Sequence, residues 1–227
     1  MTQQPEASGA RGILGSFARP SGASGRVVGW LLARFNSRLN RDAVLRLSLG
    51  PSASVLEIGF GPGVGIRRLT ERVTTGLVAG IDPSDVMHRQ ATRRNREAIR
   101  SGRVVLRYGT ANELPWERGT FDAVLSLNNI LLWQPLSQGL REVHRVLRPG
   151  GTLLVGLHEW AARGESLPGA GSLAQVEESL AGSLRASGFG GITTELVRAP
   201  VGHALLISAQ RVESAAAKGS DAPGPDS

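Results

Sequence analysis

The sequence contains no cysteine among its 227 residues. That absence excludes disulfide bonds, metal sites built from thiolates and catalysis by a cysteine nucleophile. It says little about the compartment in which the protein works. Any chemistry must therefore come from the other polar side chains, and no metal site is predicted.

Long apolar runs are also missing, since no segment approaches the roughly 20 residues that a membrane-spanning helix needs. The N-terminus lacks the apolar region of a signal peptide, and we predict a cytoplasmic protein. Residues 1–25 and 213–227 are rich in small and polar residues and are predicted to be disordered. One folded domain is predicted over residues 26–212.

Lysine is nearly absent: Lys218 is the single lysine, and the other 25 basic residues are arginines. The net charge of +7 favours anionic partners, but arginine usage beside abundant Ala and Gly is typical of GC-rich codon bias. One predicted helix carries or adjoins Arg89, Arg93, Arg94, Arg96, Arg100 and Arg103. We interpret this series as a solvated helix face, because no aromatic residues alternate with it for base stacking. No nucleic-acid partner is predicted.

From residue 54 onward, short apolar runs alternate with helical patterns, which predicts a parallel sheet covered by helices on both faces. The predicted strands are Ser54–Gly59, Leu77–Asp82, Val104–Gly109, Phe121–Asn128, Thr152–His158, Ile192–Ala199 and His203–Arg211. Only Pro200–Gly202 separates the last two strands, which is too short for a crossover helix. We therefore predict that they pair as an antiparallel hairpin.

Helices are predicted in the gaps between strands, at about Gly65–Val73, from Ser84 to Ile99, at Ser137–Leu147 and at Leu173–Ala186. Ser84 is the predicted N-cap of the second helix. Pro149 and Gly150 stop the third helix soon after Leu147.

An amphipathic helical stretch precedes the first strand, at residues 26–49. Val27, Leu31, Phe35 and Leu39 recur at i, i+4 spacing, while arginines lie on another face. Two interpretations are open. The stretch is either a lid or packing helix over a cofactor pocket, or a surface for peripheral contact with a membrane or a lipid substrate.

The most specific feature is a loop with glycine at every second position, at Gly59, Gly61, Gly63 and Gly65. A buried strand that runs into such a loop and then into a helix places a cofactor at the carboxyl end of the sheet. Glycine is needed there because a Cβ would block close approach of the backbone and because tight turns often require a positive φ.

The chemistry of this loop favours S-adenosylmethionine (SAM) over a dinucleotide. The third position of the dinucleotide fingerprint falls on Val64 or Ile66, depending on its start, and neither residue fits. Pro62 removes a backbone donor, and a carboxylate at Glu57 would repel a pyrophosphate but attract an ammonium group. SAM carries an ammonium and a sulfonium and no phosphate, so an NAD(P)-dependent oxidoreductase is disfavoured.

Asp82 ends the second predicted strand. A carboxylate at that place can accept hydrogen bonds from both hydroxyls of a ribose. This role fits SAM and NAD equally well, because both contain adenosine. The alternative is that Asp82 only caps the following helix.

Five ordered motifs give the chain a resemblance to a known family. They are VLEIGFGPG (55–63), GIDPSDVM (80–87), GTANELPW (109–116), FDAVLSLNNIL (121–131) and REVHRVLRPGGTLLV (141–155). Over residues 54–160 the sequence resembles the class I SAM-dependent methyltransferases, in particular the small ubiquinone/menaquinone-biosynthesis-like group. The resemblance implies a Rossmann-like α/β fold with seven strands in the order 3-2-1-4-5-7-6, the last strand antiparallel, and helices on both faces.

The resemblance also implies where SAM lies. Glu57 and the loop backbone at Gly59 and Gly61 would hold its methionine part, with Gly63 completing the loop. Asp82 would hold the ribose.

Further positions follow from the same resemblance. Pro83 would pack on the adenine, Thr110 and Ala111 would lie beside its edge, and Asn128 would contact the methionine part. The family usually has an aspartate where this chain has Thr110, accepting from the adenine amino group. A threonine hydroxyl accepts more weakly, which predicts a lower affinity for SAM.

Methyl transfer from a sulfonium is an in-line displacement in which the protein mainly supplies orientation. Side chains just beyond the fourth and fifth strands are predicted to face the acceptor. His158 is the predicted general base, since its ordinary pKa near ~6.5 suits neutral pH, and Glu159 would orient it or bind a cationic acceptor. The alternative for His158 is a polar strand-end residue without a chemical role. Trp133 and Trp160 either line the acceptor pocket or pack against the core.

The sequence therefore predicts transfer of a methyl group from SAM to a small-molecule or lipid-like acceptor. The alternative is a protein of methyltransferase fold that binds ligands or partners without catalysis, which Thr110 and the alternative interpretation of His158 motivate. An RNA methyltransferase is a weaker alternative.

Overall fold

The computed structural model describes residues 37–162, 172–200 and 202–212. The two tails predicted to be disordered lie outside these residues, as do residues 26–36 of the predicted amphipathic stretch. The predicted domain boundaries at residues 25 and 213 stay predictions.

Seven strands form one sheet in the order β3-β2-β1-β4-β5-β7-β6. Their bounds are β1 Ser54–Ile58, β2 Leu77–Asp82, β3 Val104–Tyr108, β4 Phe121–Leu127, β5 Leu147–His158, β6 Phe189–Arg198 and β7 His203–Arg211. The first five strands pair in parallel, and β7 runs antiparallel to both β5 and β6. The predicted fold class, strand order and hairpin are confirmed.

Two strands begin earlier than the sequence predicts: β5 begins at Leu147 rather than Thr152, and β6 begins at Phe189 rather than Ile192. In β5, Leu147 pairs with Phe121 before the register shifts to the pair formed by Ala123 and Thr152. Gly150 lies inside this irregular stretch with a φ of 72°. The proline–glycine segment thus ends the helix as predicted, but it forms the bulged start of the strand rather than a loop before it.

The helices are α1 Ser37–Arg46, α2 Val64–Thr70, α3 Asp85–Arg94, α4 Arg96–Arg100, α5 Leu136–Val146, α6 Glu159–Ala162 and α7 Leu173–Ala186. The predicted cap at Ser84 is present, since its side chain accepts a hydrogen bond from the Met87 N–H. The single helix predicted from Ser84 to Ile99 is wrong, because it breaks at Asn95. The Asn95 side chain donates to the carbonyl oxygens of Ala91 and Gly63, and such local bonds compete with continued helix.

Two apolar layers cover the sheet. Residues from α1, α2, α3 and α4 pack on one face around Phe60, Leu125 and Leu154. Residues from α5 and α7 pack on the other face around Phe121 and Leu153. Among the described helices, each is too short or too polar to cross a bilayer.

α1 is the described part of the predicted amphipathic stretch. Its Leu39, Ala43 and Val44 are buried against the face of the sheet that carries α2, while Arg38 and Arg41 are exposed. The described turns therefore use their apolar side for packing. Arg46 fixes the end of α1 to β6 through two hydrogen bonds of 2.6 Å from its Nε and Nη2 to the Glu195 carboxylate.

Candidate functional site

The glycine loop follows β1 in a conformation that only glycine adopts easily. Gly59, Gly61 and Gly63 have φ values of 71°, 51° and 77°, in the left-handed region. The Gly59 N–H donates to the Ile81 carbonyl at 2.8 Å, which joins the start of the loop to β2. The sequence-based interpretation of these glycines as a tight loop is correct.

Gly61 differs from its neighbours in what lies beside it. A Cβ on Gly63 would lie 2.7 Å from the Ala91 Cβ, and one on Gly65 would overlap the Glu57 carboxylate. No atom of the described residues lies within 4 Å of the place that a Cβ on Gly61 would occupy. The loop is therefore packed against protein on the α3 side and open at Gly61.

The outer carbonyl groups of the loop are held by two side chains that the sequence analysis did not assign to the site. The Asn95 amide donates to the Gly63 carbonyl at 3.1 Å, and the Arg94 guanidinium donates to the Pro62 carbonyl. Arg94 is only partly exposed, so the interpretation of the whole arginine series as solvated is wrong for this member. Both residues lie within the helix that the sequence predicts as continuous from Ser84 to Ile99, and no local pattern marks them.

Glu57 is a buried carboxylate beneath the loop. It is 3% exposed and accepts a hydrogen bond from the Ile66 N–H, while its Oε2 atom has no hydrogen-bond partner in the part of the chain that the structure describes. Burial raises the pKa of Glu57 well above its ordinary value, and the nearby Asp82 carboxylate raises it further. Such a buried, partly satisfied acceptor suits a ligand that brings a positive charge or an N–H group.

Asp82 lies at the carboxyl end of β2 and ties two loops together. Its Oδ2 accepts from the Gly61 N–H and its Oδ1 from the Ser84 N–H, both at 2.9 Å. Burial raises its pKa, which these two backbone bonds partly offset. A carboxylate has about four acceptor positions, so both oxygens keep capacity for hydroxyl donors.

The predicted adenine side lies at the ends of β2 and β3. Pro83 and Thr110 are exposed there, whereas Ala111 is 2% exposed and packs in the core. Its side chain therefore faces the core. Tyr108 is 58% exposed, and its ring stacks on His88 with centroids 3.6 Å apart.

Two asparagines follow β4. Asn128 has a φ of 53°, and its side-chain Oδ1 accepts from the His158 backbone N–H at 2.8 Å. Asn129 lies against Gly59, and its Oδ1 accepts from the Trp133 indole N–H at 2.6 Å. Trp133 is 3% exposed and belongs to the core, so the packing interpretation holds for it.

His158 ends β5 beside Asn128. It is 2% exposed, and its Nδ1 lies 3.0 Å from the Asn128 Nδ2. Its Nε2 is buried and has no hydrogen-bond partner within residues 37–162, 172–200 and 202–212. Burial lowers the pKa of His158 to about 4, so the ring is neutral at physiological pH. The Trp160 ring stacks on it at a centroid distance of 5.7 Å.

Glu159 begins α6 and lies at a part of the surface other than the one that holds Asn128 and His158. With Leu173, His203 and Leu205 it lines an open groove of about 440 Å³ between α7 and the β6–β7 hairpin. Leu205 packs in the α7 layer, on the face of the sheet opposite α1. The structure thus places the two predicted catalytic residues in different surroundings.

Sheet register shows which side chains share a face. Glu57 pairs with Gly80 and Leu125, and Leu125 pairs with Leu154. Because side chains alternate along a strand, Asp82 and His158 lie on the same face as Glu57, the face that carries α1 and α2. Three predicted site residues therefore meet at one edge and on one face of the sheet.

Comparison with known proteins assigns the chain to a protein family. Residues 55–151 match the family model described as a methyltransferase domain. The uncharacterized methyltransferase YdaC of Bacillus subtilis (strain 168) is 31% identical over 125 residues, which are 55% of this chain and 67% of YdaC. The chain belongs to the class I SAM-dependent methyltransferases.

Other relatives agree with this assignment. The ubiquinone/menaquinone biosynthesis C-methyltransferase UbiE of Geobacter sp. (strain M21) is 29% identical over 119 residues, 52% of this chain and 51% of UbiE. The matched part thus spans from about half to two thirds of these two relatives. A SAM-dependent methyltransferase of Aquifex aeolicus has the same fold, with a TM-score of 0.62 at 20% identity, covering 80% of this chain and 92% of that one.

SAM is therefore the cofactor of this methyltransferase, and the residues described above fit it. The open space at Gly61, the partly satisfied Glu57 carboxylate and the remaining acceptor capacity of Asp82 match a ligand with cationic groups and a ribose. The roles of the individual residues stay predictions. None of these features requires an anion-binding loop of the dinucleotide type.

Gly61 provides a selective test of the loop. Gly61→Ala should lower stability by about 1–2 kcal/mol, the usual penalty of a left-handed alanine, and should also weaken SAM binding by at least about tenfold, because the new methyl group fills the open space. Isothermal titration with SAM and thermal melts measure the two effects. Gly102→Ala is the matched control, since Gly102 has a φ of 74° and open space but lies before β3. Equal SAM affinity in both variants would contradict a role for Gly61 in cofactor binding.

Proposed function

We propose that the protein transfers a methyl group from SAM to a small-molecule or lipid-like acceptor at the ends of β4 and β5. The observation that carries the proposal is the buried Glu57 carboxylate, whose Oε2 has no partner beneath a loop left open at Gly61. Glu57 and the backbone at Gly59, Gly61 and Gly63 would hold the methionine part.

The order of the strands sets the order of the proposed ligand positions along the edge of the sheet. Asp82 on β2 would hold the ribose, with Pro83, Thr110 and Ala111 toward the adenine on the β3 side. Asn128, which follows β4, and His158, which ends β5, lie on the opposite side of the loop. The acceptor would therefore bind toward β5, next to the methionine part and away from the adenine.

When bound, SAM supplies a methyl group activated by its sulfonium. The residues of the chain bind and orient: Asp82 fixes the loop through Gly61 and would fix the ribose by the same carboxylate. His158 offers a neutral imidazole at the acceptor side. Glu159 would contribute from the groove beside α7, to an acceptor that extends that far.

A small or lipid-like acceptor is supported by two observations. One relative is named for C-methylation in ubiquinone and menaquinone biosynthesis. In addition, α1 lays its apolar face over the sheet beside β4 and β5, which favours an enclosed apolar site over an open surface for a macromolecule.

The decisive experiment has two stages. Saturable SAM binding in isothermal titration is expected first, and then transfer of a labelled methyl group from SAM into a fractionated extract of the source organism. We expect the label in the lipid or small-molecule fraction. Label in RNA or protein would overturn the acceptor class, and binding without any transfer would support a catalytically silent protein.

Asp82 provides the binding control for this experiment. Asp82→Asn should weaken SAM binding by about tenfold or more, because the amide replaces one acceptor oxygen with a donor. The new NH₂ group also faces the N–H of Gly61 or Ser84, so some loss of stability is expected.

Asp122→Asn is the matched variant, since Asp122 also accepts a backbone N–H, from Ser54 at 2.7 Å, but lies at the amino end of β4. It should leave SAM affinity unchanged. Similar losses of affinity in the two variants would mean that Asp82 acts only through folding. A raised pKa at Asp82 also predicts that SAM affinity falls as the pH is lowered through that pKa.

A further inference from the structure

The contact between Asn128 and His158 is the most constrained part of the acceptor side. Within the described residues, Asn128 is one of two non-glycine residues with a positive φ. Its N–H donates to the Gly156 carbonyl at 2.7 Å, and its Oδ1 accepts from the His158 N–H at 2.8 Å. A backbone in this sparsely populated region persists only when its surroundings fix it, and such residues concentrate at active sites.

The second of these bonds fixes the orientation of the amide. Reversing Asn128 would bring its NH₂ group against the backbone N–H of His158, a contact between two donors. The oxygen therefore faces His158, and it lies 3.1 Å from the ring Nδ1. The amide nitrogen lies 3.0 Å from the same Nδ1.

These distances allow two tautomers with opposite chemistry. If Nδ1 carries the proton and donates to Oδ1, Nε2 presents a lone pair. If Nδ1 accepts from the amide, Nε2 carries the proton. Nε2 has no partner among the described residues, and an orphaned buried N–H is rarer in proteins than an acceptor without a donor. The burial of Nε2 therefore favours the first tautomer.

We propose that Asn128 is a positioning residue that holds His158 in the Nδ1–H tautomer, so that the Nε2 lone pair faces a methyl acceptor bearing an O–H or N–H group. This inference rests on the proposed function and narrows it to protic acceptors. It also gives the Asn128 side chain a partner other than the methionine part of SAM.

The reaction step balances without a further reagent. The acceptor oxygen or nitrogen forms a bond to the methyl carbon as the carbon–sulfur bond breaks, and the electron pair of that bond stays on sulfur. Bond formation to the methyl group makes the acceptor proton more acidic, so it moves to Nε2 of His158 even though burial lowers the pKa of this ring to about 4. The resulting imidazolium keeps its Nδ1–H bond to Asn128. Proton release to solvent after product departure restores the neutral ring.

The geometry agrees with this role. His158 stands at the carboxyl end of β5, on the face that carries Glu57 and Asp82. Gly156, two residues earlier on that face, already lies beside Leu39 of α1. The His158 ring therefore lies at the carboxyl edge of the sheet, on the face that α1 covers, which is the side where the proposed acceptor would bind.

The tautomer can be read directly, without acceptor or turnover. Long-range ¹H–¹⁵N correlation spectra of the full chain should show Nδ1 protonated and Nε2 unprotonated at neutral pH. The chain has four histidines, and the signals missing in a His158→Gln spectrum identify the ring. A protonated Nε2 in the unmodified protein would overturn the proposal, whatever the variants do.

Two variants of Asn128 test the positioning role. Asn128→Gly removes the amide but suits the positive φ, and it should lower kcat by about 100-fold, the usual range for loss of a positioned base, with the KM for SAM nearly unchanged. Asn128→Asp keeps an acceptor toward Nδ1 and should restore the Nδ1–H tautomer and most of kcat. Unchanged kcat in the glycine variant would contradict the proposal.

The same measurements separate this inference from the proposed function. If the unmodified protein binds SAM but transfers no methyl group to any fraction, the proposed function fails while the tautomer is still established by the spectra. If transfer occurs and both Asn128 variants shift the tautomer without changing kcat, the positioning role alone fails. Thermal melts of each variant show whether a loss of kcat reflects unfolding.

Discussion

Glu57→Gln is expected to make the ligand-free protein more stable and to weaken its binding of SAM. The gain in stability should be about 0.5–2 kcal/mol, as is common when a functional site is relieved of strain. The loss of SAM affinity should be about tenfold or more, because a hydrogen bond to a charged group is replaced by a weaker neutral one.

The expected gain in stability follows from the pKa of Glu57. Burial and the Asp82 carboxylate raise it above the ordinary value of 4.5, so the folded protein holds this proton more tightly than the unfolded chain does. Stability from the protonated group is therefore lost as the pH rises from about 4.5 through the raised pKa. At a pH above that value, a neutral glutamine removes the penalty of the buried charge.

Glu142→Gln is the matched control, with the opposite expectation. The Arg145 guanidinium lowers the pKa of Glu142 by a direct hydrogen bond of 2.7 Å, so its charge stabilises the fold at neutral pH. That variant should lower Tm and leave SAM affinity unchanged. Thermal melts at several pH values and isothermal titration with SAM check both variants. A Glu57→Gln protein that melts at a lower temperature than the unmodified one would contradict the inference that the buried Glu57 charge destabilises the ligand-free fold.

Gly59→Ala is expected to destabilise the fold by about 2–5 kcal/mol. A left-handed alanine costs about 1–2 kcal/mol, and overpacking typically adds about 1–3 kcal/mol. The overpacking arises because the new Cβ would overlap the amide of Asn129 and lie 2.8 Å from its Cβ. Asn129 cannot withdraw without losing its hydrogen bond to the Trp133 indole.

Two further variants isolate the cause. Gly150→Ala has a similar φ of 72° with open space, so it should show only the backbone part of the loss. Asn129→Gly should rescue part of the Gly59→Ala defect, which denaturant unfolding of the single and double variants measures. A loss in Gly59→Ala no larger than that in Gly150→Ala would show that Asn129 moves away without penalty.

The fold was readable from sequence because its strands are strongly patterned. The apolar run before Asp82 and the run over residues 203–211 gave exact strand bounds, and the three-residue connection after Ala199 required a hairpin. Local signals failed where a distant partner decides the structure. Asn95 breaks its helix because Gly63, 32 residues earlier, offers a carbonyl.

In the candidate site, too, the features set by local motifs were predicted and those set by distant partners were not. The positive φ of Gly61 and the position of Asp82 follow from local motifs, and the structure shows both. The pairing of Asn128 with His158 joins residues 30 apart, and their strand-end positions alone did not reveal it. Glu159 follows His158 directly in the chain, yet it lines a groove beside Leu205, which packs on the opposite face of the sheet.

The ion pair between Arg46 and Glu195 has a consequence for the time order of assembly. The two residues are 149 positions apart, so α1 is made long before its partner on β6. At ribosomal rates of about 5–20 residues per second, the gap is roughly 7–30 s. For much of that interval the strands from β4 to β7 are not yet synthesised, so the sheet that buries the apolar side of α1 is incomplete. We expect the nascent chain to be most prone to aggregation then, and to chaperone binding at Leu39 and Val44.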